Sequence, residues 1–525
     1  MLEITSGDLK PRLTAGSDIA FIDVREAGQY GEGHPFFAIN IPYSQLELRV
    51  ERLVPRKNVS VVLMDEGNGS GIAEMAARRL GTLGYSDVKL MSGGARAWAH
   101  EGYVLYQGVN LPSKAFGELV EHAAGTPHVT AEELHAMQER GDPLVLLDGR
   151  TPAEYRRMTI PGSRNVPNGE LGHRLPVLLP DNKTMVVINC AGRTRSIIGA
   201  QSLRDLGFEN PVLALKNGTQ GWDLAGFELD RGHEPQVMTE VDGDAAAASS
   251  RNADMLICKF ALPVIQGETL EKWRADTDRT LYVFDVRTIE EYEAGHLPGA
   301  FHAPGGQLVQ STDLWVAVRG ARIVLCDDTG LRAAQAASWL RRMGHDAYVL
   351  REDVTAQTGL LRGRTGDAEI TATLENCAVA DVSGRLAAGA ILLDLRASVE
   401  FRKGHIAGAR WAIRPRLGAL GLRVEDDIIL AGGRNTAELA VMDLRDFNCA
   451  KLSFLEGVAE DWKAAGLDIA ETPAEPADAA CIDYLFFVHD RHAGNLDAAR
   501  GYLEWELALV EQMDEQERGI FALDF

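Results

Sequence analysis

The run Val186-Val187-Ile188-Asn189-Cys190-Ala191-Gly192-Arg193-Thr194-Arg195-Ser196 decides how this chain is read. Its first residues are apolar and β-branched, the signature of a buried strand. A helical pattern follows, with Ile197, Ile198, Leu203 and Leu206 at its apolar positions. Cys190 therefore stands at a strand-to-helix turn with two arginines close behind it. A cysteine so placed is suited to be a stabilised thiolate. Gly192 suits a tight loop because it tolerates backbone angles that other residues resist.

The same neighbourhood occurs four times. Each copy opens with an apolar strand ending in aspartate and arginine: Asp23 and Arg25, Asp148 and Arg150, Asp285 and Arg287, Asp394 and Arg396. A Gly/Pro/His turn follows, closest between Gly295-His296-Leu297-Pro298-Gly299 and Gly404-His405-Ile406-Ala407-Gly408. A second strand then enters the loop. The interval from the aspartate to the loop is 42 residues in three copies (23 to 65, 148 to 190, 285 to 327) and 38 in the fourth (394 to 432). The loop begins with Asp65, Cys190, Asp327 and Gly432 in turn, so one copy alone has a nucleophile there. A late glycine turn before a tryptophan recurs at Trp98, Trp222 and Trp462; the third copy degenerates over Asp353 to Gly359.

Alternating strands and helices with continuous apolar strand cores imply an α/β fold, each copy a mainly parallel sheet flanked by helices. The boundaries read as 1–109, 125–232, 253–363 and 369–470, with a helical tail over 480–525. His233 to Asn252, small and polar, reads as a linker, and Pro473 to Ala479 as a second connector. Leu503, Trp505, Leu507 and Val510 are the expected apolar positions of the tail, which packs against a domain. The strand-end aspartates read as turn caps. Asp148 and Arg150 are thus structural support, and His34, His296 and His405 are architectural. His173 reads as a surface or turn residue.

The chain has 525 residues and a net charge of -23. That balance argues against broad nucleic-acid binding, which needs basic surface. No apolar run is long enough for a membrane span, and Met1 to Thr5 gives no signal peptide. The six cysteines, with no CxxC pair, argue against a structural zinc site or a disulfide framework and for a reducing cytoplasm. No metal and no organic cofactor is expected: Gly67, Gly69 and Gly71 lack the dinucleotide spacing.

The repeated plan and the Cys190 loop together resemble the rhodanese family of sulfurtransferases, in a form with four rhodanese-like domains. The resemblance implies that Cys190 is the nucleophile and that Ala191, Gly192, Arg193, Thr194 and Arg195 complete its substrate loop, with Ser196 opening the helix. It implies transfer of sulfane sulfur from thiosulfate, or another sulfane donor, to cyanide or a thiol acceptor through a Cys190 persulfide. Arg195 is the preferred anion contact and Arg193 the brace. The other three copies are silent, and copy one is expected to pair with copy two, copy three with copy four. A persulfide relay from a protein or small-molecule donor is the main alternative. A cysteine-loop phosphatase fits less well, because Arg195 lies five positions after Cys190 and Ser196 six. A non-enzymatic scaffold would leave the basic loop without a use.

Overall fold

A computed structural model of the chain describes residues 2–352, 354, 359–363, 374–489 and 495–524. Most of the degenerate stretch from Asp353 to Gly359 lies outside them. The second copy shows how apolar runs become a sheet. Val186, Val187 and Ile188, all fully buried, form the core of the strand Met185–Asn189. It pairs in parallel with Leu144–Asp148 on one side and Val212–Leu215 on the other. The outer strands are His128–Val129 and Arg164–Asn165. Numbered by chain order within the copy, the five strands lie 1-5-4-2-3. The sheets of copies three and four have the same order, as do the five strands of copy one between Leu2 and Met91.

Both faces of these sheets are covered. Copy four has one apolar cluster around Val441 and Leu444 and a second around Val382 and Trp462. Copy two buries Leu134, Leu146, Ile160, Val187, Leu215 and Trp222 together. Each such side chain contributes about 1.5–3 kcal/mol on burial. The closing tryptophans are fastened as well as buried: Trp98 Nε1 donates to Val104 O at 3.0 Å and Trp222 Nε1 to Glu228 O at 2.9 Å.

The repeated polar residues have one structural job in every copy. Arg25, Arg150, Arg287 and Arg396 each grip their own strand-end aspartate through Nε and Nη2. Each also donates to a carbonyl of the following turn, at Gly33, Met158, Gly295 or Gly404. His34, His296 and His405 stack on Tyr30, Tyr292 and Phe401 and bond the carbonyls of those residues through Nδ1.

The compact units do not follow chain order. One comprises Met1–Leu9, Ala20–Gly108 and Gly366–Phe486, which joins copies one and four. The other comprises Lys10–Ile19, Val109–Thr365 and Phe487–Phe525, which joins copies two and three with the tail. The expected pairing of copy two with copy one is therefore corrected. Glycine makes the observed pairing close-fitting: a Cβ added at Gly169 would lie 2.7 Å from Gly306 N. Charge and aromatic contacts support it, with Arg332 on Glu170 at 3.1 Å and Trp339 Nε1 on Ser202 Oγ at 2.9 Å.

The connector between copies one and two is the helix Leu111–Ala124. The expected 233–252 linker is more ordered than its composition suggested: the helix Gly243–Lys259 begins inside it and runs into the third copy. The alanine run there favours helix, and Ser249, Ala253 and Leu256 bury one face. The tail helix Leu496–Gln512 buries Ala499, Tyr502, Leu503, Glu506 and Leu509. Leu507, expected on the apolar face, is 51% exposed. No helix among the described residues is long and apolar enough to cross a membrane.

Candidate active site

Cys190 begins the turn between the strand Met185–Asn189 and the helix Thr194–Asp205. The residue is only 1% exposed, yet it lines a cavity of about 220 Å³. Ala191, Gly192, Arg193, Thr194 and Arg195 line the same cavity. Ser196 does not. Its hydroxyl lies 2.8 Å from Arg193 O and 3.2 Å from Leu215 O, and so ties the loop to the sheet.

The loop is held by its carbonyls. Thr219 N donates to Cys190 O at 2.8 Å and Gln220 N to Ala191 O at 3.1 Å. Asn168 Nδ2 donates to Arg195 O at 2.7 Å. Copies one and three show which backbone groups the inner side of such a loop offers, because each puts a carboxylate where copy two has the thiol, although burial pushes the pKa of the Asp327 carboxyl up to about 7. Asp65 accepts from Gly67 N at 2.8 Å and from Ala73 N at 3.2 Å. Asp327 accepts from Gly330 N at 2.6 Å and from Arg332 N at 3.0 Å. Backbone N–H groups at a loop entering a helix form an anion cradle, and two silent copies fill theirs from within. Cys326, one residue before Asp327, is a fully buried thiol, its proton held more tightly by burial first and by Asp285 next.

Both loop arginines are already paired. Arg193 grips Glu118 through Nε at 2.7 Å and Nη2 at 2.9 Å, and also meets Glu121 and Asn217. Arg195 makes a fork-to-fork pair with Glu154 at 2.7 and 2.8 Å. Burial disfavours the Arg195 charge, but Glu154, and after it Cys190 and Asp148, more than restore it. Burial likewise opposes the Glu154 charge, and Arg195 and Arg150 outweigh it, holding that carboxyl well below the usual range. Arg193, the expected brace, is thus held by carboxylates, and Arg195, the expected anion contact, has a carboxylate partner as well. Glu118→Ala should cost about 3 kcal/mol in a urea melt, because it strips a buried cation of its bidentate partner.

The remaining walls escaped sequence reasoning. Lys114 comes from the connector helix, Gln307, Gln310 and Ser311 from copy three, and Tyr502 and Glu506 from the tail. Lys114, Glu118 and Glu121 share one helix face at i, i+4, i+7 spacing, which was visible in the sequence. Lys114 Nζ contacts the Tyr502 hydroxyl and stands 3.5 Å from Glu506 Oε1.

His173 is not at this cavity. It is buried, with Nδ1 3.1 Å from Ser249 Oγ. Burial, and then Arg332, push its pKa down to about 4. The unfolded chain takes up this proton near pH 6.5 and the folded chain only near 4. Its contribution, about 3 kcal/mol, is present above pH 6.5 and lost as pH falls towards 4. His173→Gln should flatten that part of a stability-against-pH curve measured by urea unfolding.

The rhodanese-like domain family matches residues 5–101, 130–225 and 267–357. A crystal structure of thiosulfate sulfurtransferase from Pseudomonas aeruginosa is 38% identical, covers 99% of each chain and superposes with a TM-score of 0.88. The putative sulfur carrier protein YrkF of Bacillus subtilis is 30% identical over 130 residues, 23% of this chain. The HTH-type transcriptional regulator Rv0324 of Mycobacterium tuberculosis is 34% identical over 110 residues, 21% of this chain. These matches span 65% and 47% of those two relatives' own lengths. The chain belongs to the rhodanese-like family.

Proposed function

We propose that the protein is a sulfurtransferase that carries sulfane sulfur on Cys190, with thiosulfate as donor and cyanide or a thiol as acceptor. The observation that carries this reading is the loop itself: three copies build it, two fill it with a carboxylate, and copy two offers a thiol to a cavity. The whole-length likeness to a thiosulfate sulfurtransferase supports the choice of donor.

In the first half-reaction the Cys190 thiolate attacks the outer sulfur of thiosulfate. A Cys190 S–S bond forms, the donor S–S bond breaks, and sulfite leaves with the electron pair. In the second, cyanide attacks the terminal sulfur of the persulfide. Thiocyanate leaves and the thiolate returns. No proton is moved in either step with these substrates, so no general base is required. The N–H cradle and the N-terminus of the helix Thr194–Asp205 stabilise the thiolate, the persulfide and the charge that develops between them. Arg195, with one carboxylate partner, is the anion contact, and Arg193, with two, is the brace. Asp148 and Arg150 keep the strand end in place behind the loop.

A persulfide donor in place of thiosulfate is the second reading. The carboxylates on the cavity wall favour it, since they oppose a doubly charged donor. All six cysteines are free thiols, which suits a reducing cytoplasm. Steady-state kinetics with thiosulfate and cyanide test the proposal. Parallel double-reciprocal lines are expected, the pattern of a ping-pong reaction. Intersecting lines, or aryl phosphate turnover equal to sulfur transfer, would overturn it.

A further inference from the structure

We infer that Glu506 tunes donor preference by charge: it slows dianionic donors such as thiosulfate more than singly charged or neutral sulfane-sulfur compounds. This rests on the proposed role of Cys190 as the sulfur carrier. Three cations face the cavity, Lys114, Arg193 and Arg195, and each meets at least one carboxylate. Among the described residues of the wall, no cation is left over for the second charge of thiosulfate.

The pairings are unequal. The arginines hold their carboxylates at 2.7 to 2.9 Å with both oxygens engaged. Lys114 stands 3.5 Å from Glu506 Oε1, which also accepts from Thr194 Oγ1 at 2.9 Å. Glu506 Oε2 is buried and has no hydrogen-bond partner among the described residues. The residue is 1% exposed, so water screens this charge poorly. Its reach is set by Gly192: a Cβ added there would lie 3.1 Å from Oε2, at the middle of the Cys190 loop. Among the described residues the least compensated charge on the wall is therefore negative, and it adjoins the Cys190 loop.

Repulsion of this kind scales with donor charge. Whatever the local dielectric, removing it changes the logarithm of the rate twice as much for a dianion as for a monoanion. Thiosulfate and methanethiosulfonate are such a pair of probes. In a ping-pong reaction, kcat/KM for the donor reports the donor half-reaction alone. Glu506→Gln in the full chain should raise kcat/KM about tenfold for thiosulfate and about threefold for methanethiosulfonate. Lys114→Gln, which leaves Glu506 without its cation, should lower both, thiosulfate again by the larger factor. Equal factors for the two donors in both variants, or no gain in Glu506→Gln, would overturn the inference. Failure of either donor to load Cys190 in the unaltered chain would instead overturn the proposed chemistry.

Discussion

The chain gains one sulfur, about 32 Da, when mixed with thiosulfate, and Cys190→Ala gains none: that is the expected result of intact-mass analysis. Cyanide or excess thiol should remove the added mass. Turnover should fall at least about a thousandfold, because no other group on the cavity wall can form the sulfur–sulfur bond. Of the other cysteines, Cys326, Cys377, Cys449 and Cys481 are buried, and Cys258 is exposed without a loop around it. Cys258→Ser is thus the control, expected to load as the unaltered chain does. A gain of sulfur in Cys190→Ala but not in Cys258→Ser would move the chemistry to the wrong thiol.

The four-fold plan was legible because parallel strands, buried on both faces, are written as short continuous apolar runs. Ile22, Leu147, Phe284 and Leu393 all precede a strand-end aspartate, and all are buried. The pairing of copies was not legible. Its contacts are made by Gly169, Gly305, Arg332 and Glu170 in one unit and by Arg414, Glu47 and Asp443 in the other. Such residues read as turns and solvated faces until the partner is known. Adjacency in the chain suggested copy one for copy two, and the structure supplies copy three.

The Cys190 loop was legible for a similar reason: a thiol, a glycine and two arginines in six residues form a local pattern. The charge state of its surroundings was not. Glu118, Glu154 and Glu506 lie 72, 36 and 316 positions from Cys190 by residue number, and only folding brings Glu154 and Glu506 to the cavity wall and Glu118 onto Arg193. The tail shows the limit most plainly. Its apolar positions were read through Leu507, whereas the buried stripe runs through Tyr502 and Glu506. A buried glutamate is invisible to a hydrophobic pattern.

Gly218→Ala should cost about a hundredfold in kcat/KM for thiosulfate and about 3 kcal/mol in stability. Gly218 has φ +52°, and a Cβ there would lie 2.2 Å from Cys190 O and 2.7 Å from Cys190 C. Both are backbone atoms, so no side chain can swing away. The loop must move, and the bonds from Thr219 N to Cys190 O and from Gln220 N to Ala191 O would lengthen with it. Those bonds fix the direction of the Cys190 and Ala191 carbonyls. Copy one supplies the control. Gly94 has φ +55°, and its Cβ would lie 2.4 Å from Asp65 O, at the same point of a loop without a thiol. Gly94→Ala should lower stability by a comparable amount and leave sulfur transfer intact. Circular dichroism melts and donor kinetics on the two variants therefore separate folding from chemistry. If both lost activity alike, general destabilisation would explain the loss, and the fixed direction of the Cys190 carbonyl would have no special part in it.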